Sequence, residues 1–187
     1  MKKLLFTAVL AGFAANATAA TYKIDPFHTN ARFEIDHFGT SSNVGGFYGL
    51  NGTLEFDPKK QTGSVDLVIP VSSLQSSSAE FTQHLKSADL LDEAKSPQIR
   101  FVSKNFKFDG GKVTDVTGEL TILGKTHPVT LKADKFNCYD SPMLKTEVCG
   151  GDFSTTIDRT LWGVNYLVDV GMTKDVKINI QIEAGKQ

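Results

Sequence analysis

VTGELTILGKTHPVTLKA, residues 116–133, contains two stretches in which apolar and polar side chains alternate with a period of two. This alternation is typical of β-strands that bury one face. If the chain turns back at Gly124 and Lys125, Leu120 pairs with Val129 and the apolar positions of both stretches lie on one side of the sheet. The stretch therefore predicts an antiparallel hairpin with one dry face.

Pro128 refines the predicted turn. In this register it faces Thr121, and because proline has no N–H it cannot donate a ladder hydrogen bond. A four-residue loop over residues 123–126 makes this a non-hydrogen-bonded pair, so we predict that loop in preference to a two-residue one. The same register places His127 beside Ile122 on the apolar face, near one end of the sheet.

Residues 1–19 have the order of a cleaved secretory signal. Lys2 and Lys3 precede an apolar run over residues 4–15, and small residues follow it. The run is too short to span a bilayer. We therefore predict one mature domain over residues 20–187, located in the periplasm or outside the cell.

Composition excludes some partners of this domain. Cleavage removes two of the 20 Lys and Arg and none of the 21 Asp and Glu, which leaves a net charge of −3. Nucleic acids and anionic membrane surfaces are bound by clustered basic residues, which this chain lacks. We expect no nucleic-acid partner.

The only two cysteines, Cys138 and Cys149, flank a segment that contains a proline. In an oxidising compartment this spacing predicts a disulfide across a hairpin, worth about 3 kcal/mol for a loop of this length. A metal site would need neighbouring histidines, which the segment lacks, and a catalytic thiol would have to be unpaired. We predict the disulfide.

Alternation recurs through the mature domain. The stretches lie at residues 22–38 with a bend, 47–56, 65–69, 98–108, 153–158 and 176–183. Small polar residues over 39–46 predict a loop, and a change of parity near Lys104 and Asn105 predicts a bulge. These stretches and the hairpin predict a mainly β fold, an eight-stranded antiparallel β-barrel that closes because open edge strands would otherwise be exposed.

One short helix interrupts the strands. Ser77 and Glu80 have the capping-box spacing, and Phe81, Leu85 and Ala88 share one helical face.

Catalytic patterns are absent from the sequence. It contains no GxSxG, no HExxH and no phosphate-binding glycine loop. The four histidines, at positions 28, 37, 84 and 127, do not have the spacing that presents two imidazoles to one ion. His84 is interpreted as structural. We predict a non-enzymatic protein without a metal or a catalytic cofactor.

An eight-stranded barrel either fills its interior with side chains or holds one ligand, and periodicity does not separate these alternatives. Gly52, Gly118 and Ala133 have inward parity and indicate free space.

Several motifs spread over the mature domain resemble the YceI family of periplasmic polyisoprenoid-binding proteins. They are Tyr22-x-Ile24-Asp25-Pro26-x-His28-Thr29, Phe33, His37-Phe38-Gly39, Gly46-Phe47, His84-Leu85, Pro97-x-Ile99-x-Phe101, Gly118-x-Leu120-Thr121-Ile122-x-Gly124-x-Thr126-x-Pro128-Val129 and Asp158-Arg159-x-x-Trp162-Gly163. The cysteine hairpin and residues 74–78 depart from the family pattern.

The resemblance implies a lipocalin-like barrel that binds, stores or transports a polyisoprenoid lipid in the periplasm. We prefer an isoprenoid quinone such as ubiquinone, because the chain is acidic and has no basic cluster. A polyprenyl phosphate carrier and a quinone-linked redox or stress protein are the alternatives. Transient membrane contact and a homodimer stay open.

Inward parity and the resemblance together give the predicted ligand-binding residues. The predicted tunnel is lined by Phe33, Ile35, Phe56, Leu67, Ile69, Phe101, Leu120, Ile122, Phe153, Ile157, Ile178 and Ile180, with Trp162 closing one end. The candidates for binding the head group are His28, His127 and Arg159, and Asp25 is expected to orient a neighbouring side chain. For each of these four residues, the alternative role is to tie a loop in place by hydrogen bonds.

Overall fold

The computed structural model describes residues 19–187, so the predicted signal segment, apart from Ala19, lies outside the described residues. The strands are β1 Ala20–Ile24, β2 Asn30–His37, β3 Ser41–Phe47, β4 Asn51–Asp57, β5 Thr62–Pro70, β6 Leu74–Ser76, β7 Gln98–Asp109, β8 Lys112–Ile122, β9 Lys125–Ser141, β10 Thr146–Asp158 and β11 Asp175–Lys186. Helix α1 covers Ala79–Lys86, and short 3₁₀ helices cover Val71–Ser73, Arg159–Trp162 and Val168–Val170.

The eleven strands form an eight-stranded closed barrel, because three pairs of consecutive strands each act as one bent strand. β1 pairs with β4 while β2 pairs with β3, and β5 pairs with β4 while β6 pairs with β3. β11 then pairs with both β1 and β2, which closes the ring. All of these pairings are antiparallel, so the predicted fold class is confirmed.

The hairpin between β8 and β9 has the predicted parity but not the predicted register. Leu120 faces His127, not Val129, and the loop is the two-residue Leu123-Gly124. Both loop residues have positive φ, 50° and 72°, as a type I′ turn requires. The four-residue loop was therefore wrong, and the register differs by two residues.

Pro128 does not contradict the shorter loop. It faces Glu119, three pairs from the closing pair Ile122–Lys125. Because hydrogen-bonded and non-hydrogen-bonded pairs alternate, this position also needs no N–H from proline. The cross-strand neighbour of His127 is Leu120, not Ile122 as predicted.

The segment predicted as a loop over residues 39–46 is mostly strand. β3 begins at Ser41 and pairs with β2 through a turn in which Phe38 and Gly39 have positive φ. The ring of Phe33 covers Gly45, where a Cβ atom would lie 2.5 Å from Cζ. Glycine here reflects close packing between strands, not an irregular loop.

Two further details correct or confirm the sequence reading. The α1 cap is Ser78, not Ser77: its hydroxyl accepts a 3.1 Å hydrogen bond from the Phe81 N–H. The bulge is confirmed, since the β7–β8 register shifts between the pairs Val102–Glu119 and Asn105–Thr117.

The predicted disulfide is confirmed. Cys138 and Cys149 face each other across β9 and β10, with their Cα atoms 4.1 Å apart. Cys149 belongs to the hydrophobic core.

Aromatic side chains fill the half of the barrel nearer the disulfide. Phe56 is buried, and its ring centroid lies 5.4 Å from Phe136, 6.0 Å from Phe108 and 6.3 Å from Tyr22. Rings at these separations pack against one another and occupy the interior at this end. The vacant space lies in the opposite half.

Candidate ligand cavity

A cavity of about 400 Å³ occupies the half of the barrel near α1 and the connection between β10 and β11. This volume is within the usual range for small-molecule pockets, toward its lower end. Most of the predicted tunnel residues line it: Phe33, Ile35, Leu67, Ile69, Phe101, Leu120, Ile122, Ile157, Ile178 and Ile180.

Cross-strand pairing explains why these side chains converge. Leu67 faces Phe101 and Phe101 faces Leu120, so three neighbouring strands point apolar groups inward at one level. Phe33 faces Ile178 on the other side of the barrel in the same way. Directly opposed residues share a face of the sheet, which gives a continuous apolar wall.

Three predicted tunnel residues do not line the cavity. Phe56 belongs to the filled aromatic end, and Phe153 is buried beside Ala133 and Ile180. Trp162 is buried against the ring of His127, at a centroid distance of 5.1 Å. Phe56 and Phe153 have inward parity, but other side chains occupy the space in front of them, whereas Trp162 lies in the 3₁₀ helix after β10.

The inward glycines do not supply free space either. A Cβ atom on Gly118 would lie 2.7 Å from Cζ of Phe101, and one on Gly52 would lie 2.1 Å from the carbonyl oxygen of Asp66. The interpretation of these glycines as vacant room was wrong: they permit close packing.

His28 is not at the cavity. Its imidazole is exposed, and its Nδ1 lies 2.7 Å from Oδ2 of Asp25, whose Oδ1 accepts a hydrogen bond from the Phe27 N–H. The hydrogen bond and charge of Asp25 raise the pKa of His28. Asp25 thus contacts His28, and the pair lies in the bend between β1 and β2.

His127 has inward parity but also lies outside the cavity lining, because Trp162 covers its ring. The indole N–H of Trp162 donates a 3.0 Å hydrogen bond to the carbonyl oxygen of Leu120. His127 therefore packs against the connection, outside the cavity lining.

Arg159 lines the cavity, yet its guanidinium is committed to the main chain. Nε, Nη1 and Nη2 donate hydrogen bonds of 3.0, 3.0 and 2.9 Å to the carbonyl oxygens of Thr173, Val164 and Tyr166. Burial lowers the pKa of Arg159, an effect that the charge of Asp158 opposes. The loop-tie role has the geometric support, because these bonds fold the connection over the barrel.

Besides Arg32 and Thr155, sequence reasoning missed four polar residues of the cavity lining, His37, Asn43, His84 and Tyr166. They come from the end of β2, the start of β3, α1 and the connection, all at the same end of the barrel. The rings of His84 and Tyr166 are 5.0 Å apart in an edge-to-face arrangement. These groups can donate or accept hydrogen bonds at the mouth of an otherwise apolar space.

A signal for two of them was present in the sequence. His37 has the same parity as Phe33 and Ile35, and His84 follows Phe81 by three residues, which puts both on one side of α1. Tyr166 and Asn43 had no such signal, because their placement depends on how the connection and β3 pack.

Within residues 19–187, no helix has the length and apolar character needed to cross a membrane. The same residues contain no group of three or more His, Cys, Asp or Glu side chains arranged to hold a metal ion.

A closed eight-stranded antiparallel barrel with an apolar cavity at one end defines a lipocalin-like β-barrel protein. A family model described as the YceI-like domain matches residues 22–184. The chain belongs to the YceI family.

Relatives of known sequence agree with this assignment. Protein YceI of Escherichia coli O157:H7 is 40% identical over 148 residues, which cover 76% of this chain and 77% of the relative. A UPF0312 protein of Pseudomonas putida is 35% identical over 188 residues, which cover 97% of each chain.

Solved structures share the fold. BcnA of Burkholderia cenocepacia superposes with a TM-score of 0.70 at 24% identity, covering 86% of this chain and 99% of its own. A polyisoprenoid-binding domain from Saccharophagus degradans superposes with a TM-score of 0.65 at 12% identity, covering 91% of this chain and all of its own.

Proposed function

We propose that this protein binds a polyisoprenoid lipid without chemical turnover, with the prenyl tail in the cavity and the head group at the mouth. The observation that supports this most is the distribution of side chains: the cavity wall is apolar, while His37, Asn43, His84 and Tyr166 lie together at one end. The name of the Saccharophagus degradans neighbour and membership of the YceI family support an isoprenoid as the ligand.

Burial of hydrocarbon supplies the affinity. Each methylene group removed from water contributes about 0.8 kcal/mol, so two or three five-carbon units account for most of a micromolar affinity before the costs of ordering. Because the disulfide end of the barrel is filled, the usable lumen is shorter than the strands. A short tail, or the part of a long tail next to the head group, fits this space.

A neutral quinone is preferred over a polyprenyl phosphate as the ligand. Of the two arginines in the lining, Arg159 is bound to three carbonyl oxygens and Arg32 lies on an exposed position of β2. A phosphate would need several free cationic donors at the mouth. Imidazole, amide and phenol groups suit the carbonyl oxygens of a ubiquinone-like ring instead.

The location proposed for this function is the periplasm, reached through the predicted signal over residues 1–19. Binding and transport there require transient access to a membrane, and a homodimer is not needed to form the cavity, since one chain supplies all of its walls.

Ligand extraction tests the proposal. Protein purified without detergent is extracted with organic solvent and analysed by mass spectrometry, with a stoichiometric prenyl lipid as the expected result. Separately, a ubiquinone with two isoprene units should quench the fluorescence of Trp162, the single tryptophan, while farnesyl phosphate competes weakly. No prenyl lipid in the extract and no saturable quenching would contradict the function, and stronger competition by the phosphate would contradict the quinone.

Ile178 and its neighbour Asn179 offer a matched pair of variants. Ile178 lines the cavity, whereas Asn179 is exposed on the outer face of the same strand. Ile178→Trp should fill the cavity and lower the lipid content of the purified protein several-fold, and Asn179→Trp should leave it unchanged. Equal lipid content in both variants would show that the tail lies elsewhere.

A further inference from the structure

Three large apolar side chains stand exposed beside the mouth of the cavity. Phe38 in the β2–β3 turn is 43% exposed, and Leu161 and Val170 in the connection are 51% and 61% exposed. None of the three lines the cavity. We call Phe38, Leu161 and Val170 the mouth rim.

The rim continues the cavity wall outward. Phe38 follows His37, Leu161 lies between Arg159 and Val164, and Val170 lies between Leu167 and Met172. All five of these flanking residues line the cavity. The Phe38 ring is also next to Gly171, where a Cβ atom would lie 4.0 Å from Cε1. Two separate segments thus bring apolar groups together at the opening.

The connection that presents Leu161 and Val170 is held in place. Arg159 donates hydrogen bonds to the carbonyl oxygens of Val164, Tyr166 and Thr173, and Trp162 is tied to the Leu120 carbonyl. Hydrophobic side chains on a restrained segment stay exposed to water and do not fold back into the core, so they are available for contact with an apolar partner.

We infer that the mouth rim inserts into the surface of a zwitterionic lipid bilayer, so that the cavity opens against hydrocarbon. Apolar side chains that enter the interfacial region gain burial without spanning the membrane. An opening in contact with the bilayer removes the passage through water, which would expose every methylene group of a tail.

The charges near the rim indicate which bilayer. Asp36 and Asp169 lie within two residues of Phe38 and Val170. Lys174 is paired with Asp158 at 2.9 Å, and the ammonium group of Lys125 lies beside Gly163. With acidic groups so close and no basic cluster, attraction to anionic lipid does not contribute. Docking should depend on the apolar side chains alone.

A second copy of the chain fits the rim less well. Stable protein interfaces bury about 1,200–2,000 Å² and have a packed centre, whereas three side chains around an opening offer little contiguous area. Shallow insertion uses such separated side chains directly.

The test is sedimentation with phosphatidylcholine vesicles, with and without a quarter of phosphatidylglycerol. The rim variant combines Phe38→Asn, Leu161→Ser and Val170→Ser; asparagine tolerates the positive φ of 56° at position 38. The matched control combines Met143→Ser and Leu144→Ser, which removes side chains that are 87% and 52% exposed in the β9–β10 turn at the opposite end. Circular dichroism confirms that both variants are folded.

We expect the rim variant to partition onto vesicles at least fivefold less than the unchanged protein, the control to stay within twofold, and both lipid compositions to give the same result. Unchanged partition of the rim variant, an equal loss in the control, or binding only to anionic vesicles would overturn the inference. The inference would also be overturned if the unchanged protein did not bind vesicles but formed a dimer, and the rim variant were a monomer. The mouth rim would then be a subunit interface.

The inference rests on the proposed function for its purpose, but its outcome is separable. Rim-dependent vesicle binding with no extractable prenyl lipid would retain the docking surface and remove the lipid-binding proposal. Normal lipid content with no rim-dependent vesicle binding would retain the lipid-binding proposal and remove the docking surface.

Discussion

The indole N–H of Trp162 donates a 3.0 Å hydrogen bond to the carbonyl oxygen of Leu120 in β8. This bond joins the β10–β11 connection to the β8–β9 hairpin, and it lies above the imidazole of His127. Because the connection forms part of the cavity mouth, a single side chain links the stability of the barrel to the shape of its opening.

Trp162→Phe should lower the free energy of unfolding by about 1–3 kcal/mol, because the buried side chain loses its hydrogen bond to the Leu120 carbonyl and leaves part of its volume empty. Urea denaturation measures the change. The neighbouring Leu161→Ala, at an exposed position, should stay within about 0.5 kcal/mol. Equal effects of the two variants would show that the hydrogen bond contributes nothing.

Arg159→Lys should loosen the connection although it keeps the charge. A lysine ammonium cannot reach three carbonyl oxygens in the fork geometry of a guanidinium. We expect faster hydrogen exchange over residues 160–173 and little change in β8 and β9. Lys177→Arg, at an exposed ion pair with Glu34, is the control substitution and should leave exchange in both regions unchanged. Normal protection of the connection in Arg159→Lys would contradict the loop-tie role.

The Asp25–His28 pair should make the effect of His28→Asn depend on pH. Asp25 raises the pKa of His28 above its ordinary 6.5. The stabilisation that protonated His28 gives the folded protein is therefore complete below pH 6.5 and is lost as the pH rises through the raised pKa. Burial raises the pKa of Asp25, but hydrogen bonds from His28 and the Phe27 N–H outweigh this effect and place the pKa below 3.8. The stabilisation that ionised Asp25 gives the folded protein is therefore complete above pH 3.8 and is lost as the pH falls through the lowered pKa.

The melting temperature of His28→Asn should therefore fall furthest below that of the unchanged protein between pH 3.8 and 6.5, and the difference should fade at higher pH. Asp25→Asn should show the same pH profile, since it removes the other member of the pair. A deficit that is constant from pH 5 to 9 would indicate that packing, not charge, stabilises this bend.

Removing the disulfide should cost stability without emptying the cavity. Cys138→Ser with Cys149→Ser should lower the free energy of unfolding by about 3 kcal/mol, as expected for a loop of this length. The bridge lies at the aromatic, filled end, so lipid content at 10 °C should be unchanged. A folded double variant that has lost its ligand would contradict the separation of the two halves.

Tail length gives a further test of the filled half. Affinity should rise steeply from geraniol to farnesol and should level off for longer prenols. Burial of each added five-carbon unit contributes about 4 kcal/mol before the cost of ordering the tail, as long as the cavity has room for it. Competition against the two-unit ubiquinone measures the series. A rise that continues through prenols of eight units would show that Phe56 and its neighbours move aside.

Most of the inward-facing residues were predictable because strand parity is a local property. Phe33, Phe101 and Ile178 alternate with polar neighbours, and the structure points each of them inward. The pairing of Cys138 with Cys149 was also evident from composition and spacing. The exact hairpin register was not, because a shift of two residues preserves parity and only the φ values of Leu123 and Gly124 select the shorter loop.

Sequence by itself thus determined the closed barrel, its dry face and its disulfide, since an alternation of period two specifies which side chains leave the water. Only the tertiary structure decided where the interior is vacant. Phe56 and Phe101 have the same chemistry and the same parity, but one is enclosed by Tyr22, Phe108 and Phe136 while the other borders open space. That difference depends on how distant strands bring their side chains to one level of the barrel, which no local pattern encodes.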